Sequence, residues 1–201
     1  KPVRHLDFEW TAFAVPLHAG VAPWGAVTTQ YSIHLETQYG LEHTDYLSEA
    51  EGDRRRELVE NMIQDIGEDG SIVVYSIGAE RGRIRDMMRW FPEFSDELTA
   101  IERRLFDLQP LVKKCLIYPQ FFGKSSLKLI PLIVPGFDYE DLDIDNGEDA
   151  MGAMNLMMRE KIGSGEILAL RENLLRYCKR DTEATFRILQ ALRNMVQKRD
   201  E

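Results

Sequence analysis

The sequence predicts one α/β domain in which helices flank a mixed β-sheet. The chain has 201 residues, of which 44% are hydrophobic and 29% charged, an ordinary composition for a globular domain. Three strand-like runs near the start have short connections, which predicts an antiparallel meander, and a later β-branched run before a helix predicts a parallel strand. We assign residues 1–201 to this domain, and the absence of Met at residue 1 suggests part of a longer protein.

The first predicted strand contains two carboxylates within an apolar run, at residues 6–10. Successive side chains of a strand alternate between faces, so Asp7 and Glu9 project from one face and the apolar residues from the other. Unpaired buried carboxylates are costly and are normally neutralised by cations or metals, and no Lys or Arg stands at the matching positions nearby. The pair indicates a metal site, and the alternative is an edge strand whose acids face water.

The other elements follow from hydrophobic spacing and from capping and turn residues. Strands are predicted at 30–35, 41–46 and 71–75. Helices are predicted at 53–66 with Asp53 as its cap, at 77–91, at 96–111 as one or two helices carrying Asp107, at 148–161, and at 166–198 as one or two helices after a break at 163–165.

Glu80 stands in the first turn of the helix that follows strand 71–75. Ligand sites of open α/β sheets favour the ends of strands, which suggests a functional carboxylate. The first turn of a helix also favours Glu because of the helix dipole, so a purely structural role is the alternative.

Tyr177 and Asp181 are four residues apart in the last predicted helix and therefore share one face. An ordinary surface pair is the alternative interpretation. The turn at 123–128 lacks the glycine spacing of a phosphate-binding Walker loop. Lys124 and Lys128 in this turn are candidates for phosphate contact or simply solubilising residues.

The net charge of −9 is concentrated in one segment. Seven acids and no Lys or Arg lie between residues 128 and 159, and the rest of the chain has 27 acids against 25 bases. A nucleic-acid substrate is therefore permitted but not indicated by charge. Cys115 and Cys178 form no CxxC motif, which argues against a zinc site and favours a cytoplasmic location. No signal sequence or membrane span is evident.

The ordered set of a strand DxE, an acid after a later strand and a helical YxxxD resembles the tyrosine-bearing branch of the DEDD superfamily of 3′-to-5′ exonucleases. This resemblance implies an RNase H-like fold. It assigns the first motif to Asp7 and Glu9, the second to Glu80, and the third to Tyr177 and Asp181.

A narrower pattern, from about residue 5 to 192, resembles the bacterial domain-of-unknown-function family 2779. It rests on the segments 30–34, 74–80, 107–108, 123–128, 139–142 and 175–182. That family implies a nuclease-like domain, often as part of a larger protein. A second nuclease-like domain in the full-length chain is a candidate partner. The wider superfamily normally has Asp in its second motif and often Asn at the start of that turn, where this chain has Glu80 and Ser76.

The resemblance implies metal-dependent 3′-to-5′ exonuclease activity on the 3′ end of single-stranded DNA or RNA. Two Mg²⁺ or Mn²⁺ ions would be held by four acids: Asp7, Glu9, Glu80 and Asp181. Tyr177 would orient the attacking water, and weaker substrate contacts are expected from Ser76, Lys124 and Lys128. The alternatives are a catalytically weak nucleic-acid-binding or scaffold module of the same fold, and a phosphohydrolase acting on nucleotides or other phosphate esters.

Overall fold

A computed structural model describes residues 1–159 and 162–197, and its mixed five-stranded sheet flanked by helices confirms the α/β class. The strand order is β3-β2-β1-β4-β5. The first three strands form the predicted antiparallel meander, β4 is parallel to β1, and β5 is parallel to β4. The strands are β1 Val3–Ala12, β2 Ala26–Thr37, β3 Gly40–Leu47, β4 Ser71–Val74 and β5 Leu105–Asp107.

Six α-helices and three short 3-10 helices are present in the described residues. The α-helices are α1 Arg55–Ile66, α2 Ile77–Trp90, α3 Ser95–Arg103, α4 Gln109–Cys115, α5 Gly147–Arg159 and α6 Ser164–Gln197. The 3-10 helices are Pro92–Phe94, Pro119–Phe121 and Leu127–Leu132.

The prediction that Asp107 lies in a helix was wrong. Helix α3 ends at Arg103, and the next residues form β5, in which Asp107 is paired with Val74 of β4. Backbone pairing with a neighbouring strand outweighs local helical spacing in so short a segment. Asp107 therefore stands at the end of a parallel strand.

Two predicted helix boundaries also differ from the structure. Helix α1 begins at Arg55, after Asp53, although the Arg55 backbone N–H donates to Asp53 Oδ1 at 3.2 Å. The last helix is continuous from Ser164, so the predicted break at 163–165 is shorter than expected. The predicted helix ends at 161 and 198 lie outside the described residues. In the parts of the chain that the structure covers, no helix combines the length and apolarity that crossing a membrane requires.

The two faces of the central strands differ in polarity. Leu6 and Phe8 of β1 are buried and belong to a core formed with α1, α2 and α3. The opposite face of β1 and β2 carries polar side chains beneath α6, where Ser32 and Thr182 hydroxyls are 2.8 Å apart. The alternation predicted from the sequence therefore separates an apolar layer from a polar layer, and Asp7 and Glu9 belong to the polar one.

Candidate functional site

Asp7 and Glu9 of β1 project together toward α6. One ligand atom from each of Asp7, Glu9 and Cys178 lies within 4.8 Å of the others. Cys178 comes from α6, and its Sγ is 3.6 Å from Asp7 Oδ2. The face of β1 that carries Asp7 and Glu9 is thus covered by α6, which lies near the C-terminal end of the sequence.

Helix α6 also supplies Tyr177 and Asp181, and both side chains are buried. Asp181 Oδ1 accepts a hydrogen bond of 2.5 Å from the Tyr139 hydroxyl. It lies 3.6 Å from Lys128 Nζ, an ion-pair distance. Tyr177 and Asp181 are therefore not an ordinary surface pair, which was the alternative interpretation of their spacing. They face the sheet and the acids of β1.

Lys128 is partly exposed, but its ammonium group is buried beside these acids. Its Nζ is 3.5 Å from the ring centroid of Tyr139 and 4.4 Å from that of Tyr177. In the described part of the chain this nitrogen is buried and has no hydrogen-bond partner, so Asp181 and the two rings are its main neighbours. A cation among the acids lowers their mutual repulsion.

Glu80 is buried in the first turn of α2, directly after β4. Its Oε2 atom is buried and has no hydrogen-bond partner among the described residues. Burial, with a smaller contribution from the nearby charge of Asp107, raises the pKa of Glu80 to about 7. A buried carboxylate oxygen without a protein partner is suited to binding a cation.

The predicted acids act on one another electrostatically. Burial raises the pKa of Asp7 well above its ordinary value, and the charges of Asp181, Glu9 and Glu80 raise it further. Burial and the charges of Asp181 and Glu80 likewise raise the pKa of Glu9, against the opposing effect of Lys128. Burial raises the pKa of Asp181 as well, although Lys128 and Tyr139 oppose this. The four acids therefore share one electrostatic environment, which we call the acid cluster.

The donor atoms of the acid cluster fit a hard divalent cation. Burial and the neighbouring carboxylates raise the pKa of Cys178 well above its ordinary value, so the sulfur is a neutral thiol that donates to Asp7. The thiolate is the form that binds metals, which leaves carboxylate oxygens as the available ligands. Oxygen ligands are preferred by Mg²⁺ and Mn²⁺, and Glu80 offers an oxygen without a partner.

Two further substrate-binding candidates, Ser76 and Lys124, are exposed on the surface. Ser76 is exposed at the start of α2. Lys124 is exposed in the turn that follows Phe121. The Tyr75 hydroxyl donates to the Ser125 carbonyl at 2.8 Å, which joins the Lys124 turn to the end of β4.

The sequence did not reveal three residues of this site. Tyr139 was part of the family pattern, but nothing local indicated its bond to Asp181. The helical spacing of residues 96–111 predicts a helix at Asp107, which lies instead at the end of β5 and near Glu80. Cys178 could have been found, because in a helix residues three or four apart share a face and Cys178 is three residues before Asp181.

Comparison with protein families gives a match to the family described as Domain of unknown function (DUF2779), over residues 4–126. The match covers more than half of the chain. The chain belongs to this family. The DUF2779 match includes Asp7, Glu9 and Glu80 but ends before Tyr177 and Asp181, so it is shorter than the predicted pattern. Searches of curated proteins and of solved structures gave no match.

Proposed function

We propose that this domain is a metal-dependent nuclease that hydrolyses phosphodiester bonds of DNA or RNA from the 3′ end. The observation that carries the proposal is the acid cluster: the charges of Asp181 and Glu80 raise the pKa values of the buried Asp7 and Glu9, and Glu80 Oε2 is buried without a partner among the described residues. The antiparallel meander followed by parallel strands also supports the RNase H-like fold that the exonuclease resemblance implies.

Two ions, Mg²⁺ or Mn²⁺, would be held by the acid cluster. Asp7 would be shared between them, Glu9 and Asp181 would complete one site, and Glu80 would serve the other directly or through water. When bound, such ions activate water and stabilise charge on the attacking and leaving oxygens.

Tyr177 is suited to positioning the attacking water. Burial and the charges of Asp181, Glu9 and Asp7 raise the pKa of its phenol, so the hydroxyl keeps its proton at neutral pH. A protonated phenol donates or accepts a hydrogen bond but does not act as a strong base. Tyr139 holds Asp181 by its 2.5 Å hydrogen bond and so fixes the carboxylate beside Tyr177.

A second candidate function is a nucleic-acid-binding module with weak or no catalysis. The position of Lys128 favours it, because an ammonium 3.6 Å from Asp181 Oδ1 already supplies part of the positive charge that an ion would bring. A cluster neutralised in this way would keep the fold and bind ions weakly.

The cleavage of single strands tests the proposal. Purified protein is incubated with 5′-labelled single-stranded DNA and RNA in Mn²⁺, Mg²⁺ or chelator, and the products are separated on a gel. We expect stepwise shortening from the 3′ end that requires the ion and is reduced at least roughly 100-fold in Asp7→Asn. Glu68→Gln, which changes an exposed glutamate in the turn before β4, is the matched control. Strand binding without ion-dependent cleavage would favour the second candidate.

A further inference from the structure

Residues 108–137 differ in charge from the rest of the chain. This acid-free segment contains four lysines and no Asp or Glu, in a protein whose net charge is −9. Lys113, Lys114 and Lys124 are exposed, whereas Lys128 lies in the acid cluster. Exposed lysines without neighbouring acids in the same segment form the kind of surface that attracts phosphates.

Phe122 is displayed to solvent by a well-defined turn within the acid-free segment. It is 87% exposed and follows Phe121, which is buried and anchors the turn. Hydrogen bonds from the Phe122 and Lys124 backbone N–H groups to the carbonyls of Pro119 and Phe121 hold the turn. Phe122 has a φ of 48°, in the left-handed region that non-glycine residues seldom adopt. Strained residues of this kind concentrate at functional sites.

The chain that follows the turn contacts the end of β4 and, through Lys128, the acid cluster. Ser125 accepts the Tyr75 hydroxyl at 2.8 Å, and Lys128 Nζ is 3.6 Å from Asp181 Oδ1. At a maximal extension of about 3.6 Å per residue, the six residues from Phe122 to Lys128 span at most about 22 Å. The exposed ring therefore lies on the same stretch of chain as Lys128, no more than that distance from it.

Helix α4 extends this surface. Lys113 donates to Gln109, whose amide nitrogen is 3.4 Å from the Ser125 carbonyl, so α4 and the turn are linked. The cavity between them, lined in part by Lys113, Ile117 and Lys124, has a volume of about 140 Å³. Small-molecule sites usually measure about 300–1,000 Å³. This cavity is therefore smaller than a typical enclosed small-molecule site.

We infer that the acid-free segment binds the single-stranded nucleic acid whose 3′ end reaches the acid cluster. Lys113, Lys114 and Lys124 contact phosphates, and a base stacks on the Phe122 ring, as on the platforms of other single-strand-binding proteins. The inference rests on the proposed nuclease function, since it identifies the surface that delivers the substrate. The alternative occupant, a protein partner that covers Ile117 and Phe122, is an outcome of the test below.

The test measures binding separately from cleavage. Fluorescence anisotropy of labelled 15-nucleotide dT and U strands is recorded in chelator, with wild type, Phe122→Ala and a triple variant carrying Lys113→Gln, Lys114→Gln and Lys124→Gln. Stacking of one base is worth about 1–3 kcal/mol, so Phe122→Ala should raise Kd by about 5- to 150-fold. The triple variant should lower the slope of log Kd against log salt by about 2, at about 0.7 for each phosphate contact.

Two matched controls lie outside the acid-free segment. Tyr39→Ala removes a ring that is 89% exposed in the β2–β3 turn, and Lys179→Gln removes an exposed lysine of α6. Both should bind as wild type does, and circular dichroism checks that every variant is folded. Equal weakening by Phe122→Ala and Tyr39→Ala, or a wild-type salt slope in the triple variant, would overturn the inference.

The same proteins assayed for cleavage in Mn²⁺ separate the two hypotheses. Cleavage by wild type with unaltered binding in Phe122→Ala and the triple variant rejects the inference and leaves the nuclease function standing. Binding that depends on these residues without any cleavage supports the acid-free segment as a strand-binding surface and rejects the nuclease function. Strand binding by none of the proteins, together with capture of a protein partner that Phe122→Ala abolishes, also overturns the inference.

Discussion

Replacing Glu80 by Gln should stabilise the ion-free protein at neutral pH. Burial, assisted by Asp107, raises the pKa of Glu80 from its ordinary 4.5 to about 7. The folded state therefore holds this proton more tightly than the unfolded state. The resulting stabilisation is fully present below pH 4.5 and is lost as the pH rises through about 7.

The size of the effect follows from that pKa. The rise from 4.5 to about 7, at about 1.4 kcal/mol per pH unit, corresponds to a loss of up to about 3 kcal/mol above pH 7. Glutamine occupies nearly the same volume but does not ionise, so Glu80→Gln avoids the loss. For a chain of this size, each kcal/mol moves the melting temperature by roughly 2–4 °C.

The assay is urea unfolding in chelator at pH 5, 6, 7 and 8. Glu80→Gln and wild type should differ in free energy of unfolding by no more than about 1 kcal/mol at pH 5 and by up to about 3 kcal/mol at pH 8. Glu68→Gln, the exposed control, should follow wild type at every pH. A difference between Glu80→Gln and wild type that does not change with pH would refute the assigned environment of Glu80, and so would destabilisation at pH 8.

Three further predictions concern residues around the acid cluster. Tyr177→Phe should lower turnover roughly tenfold and Asp7→Ala at least roughly 100-fold, because one orienting hydrogen bond contributes less than a shared ligand; equal losses in steady-state kinetics would contradict these roles. Tyr139→Phe removes the 2.5 Å hydrogen bond to Asp181 and should lower the free energy of urea unfolding by about 1.5–3 kcal/mol, and an unchanged value would count against that bond. Asp181→Asn should raise the melting temperature in chelator and reduce the increase caused by saturating Mn²⁺. Lys128→Gln should lower the melting temperature in chelator and enlarge that increase. Calorimetric scans with and without Mn²⁺ check both expectations, and an equal increase in wild type and both variants would contradict them.

Much of the fold could be predicted because its signals are local. The alternation of apolar and acidic residues from Leu6 to Trp10 predicts β1 and places Asp7 and Glu9 on one face of it. The short connections between the first three strands predict the meander. Asp107 shows the limit: β5 has only three residues, and its pairing with β4 comes from residues more than 30 positions earlier. A segment this short carries no periodicity of its own, so its conformation depends on tertiary pairing.

Residues of the candidate site could be predicted where two of them lie on the same strand or helix. Asp7 and Glu9 share a strand face, and Tyr177 and Asp181 share a helix face. Lys128 and Tyr139 come from the long connection between α4 and α5, and only the packing of that connection against α6 brings them to Asp181. The spacing of residues 128 and 139 in the sequence does not predict their contacts with Asp181.

Direct binding of Mn²⁺ tests the central claim without any substrate. Titration calorimetry or equilibrium dialysis of the purified protein should show saturable binding of two ions per chain near neutral pH. In Asp7→Asn, which removes the shared ligand, the affinity should fall at least roughly 10- to 100-fold, while Glu68→Gln should bind as wild type does. An absence of saturable binding in wild type, or equal binding in wild type and Asp7→Asn, would contradict the assignment of the acid cluster as a metal centre.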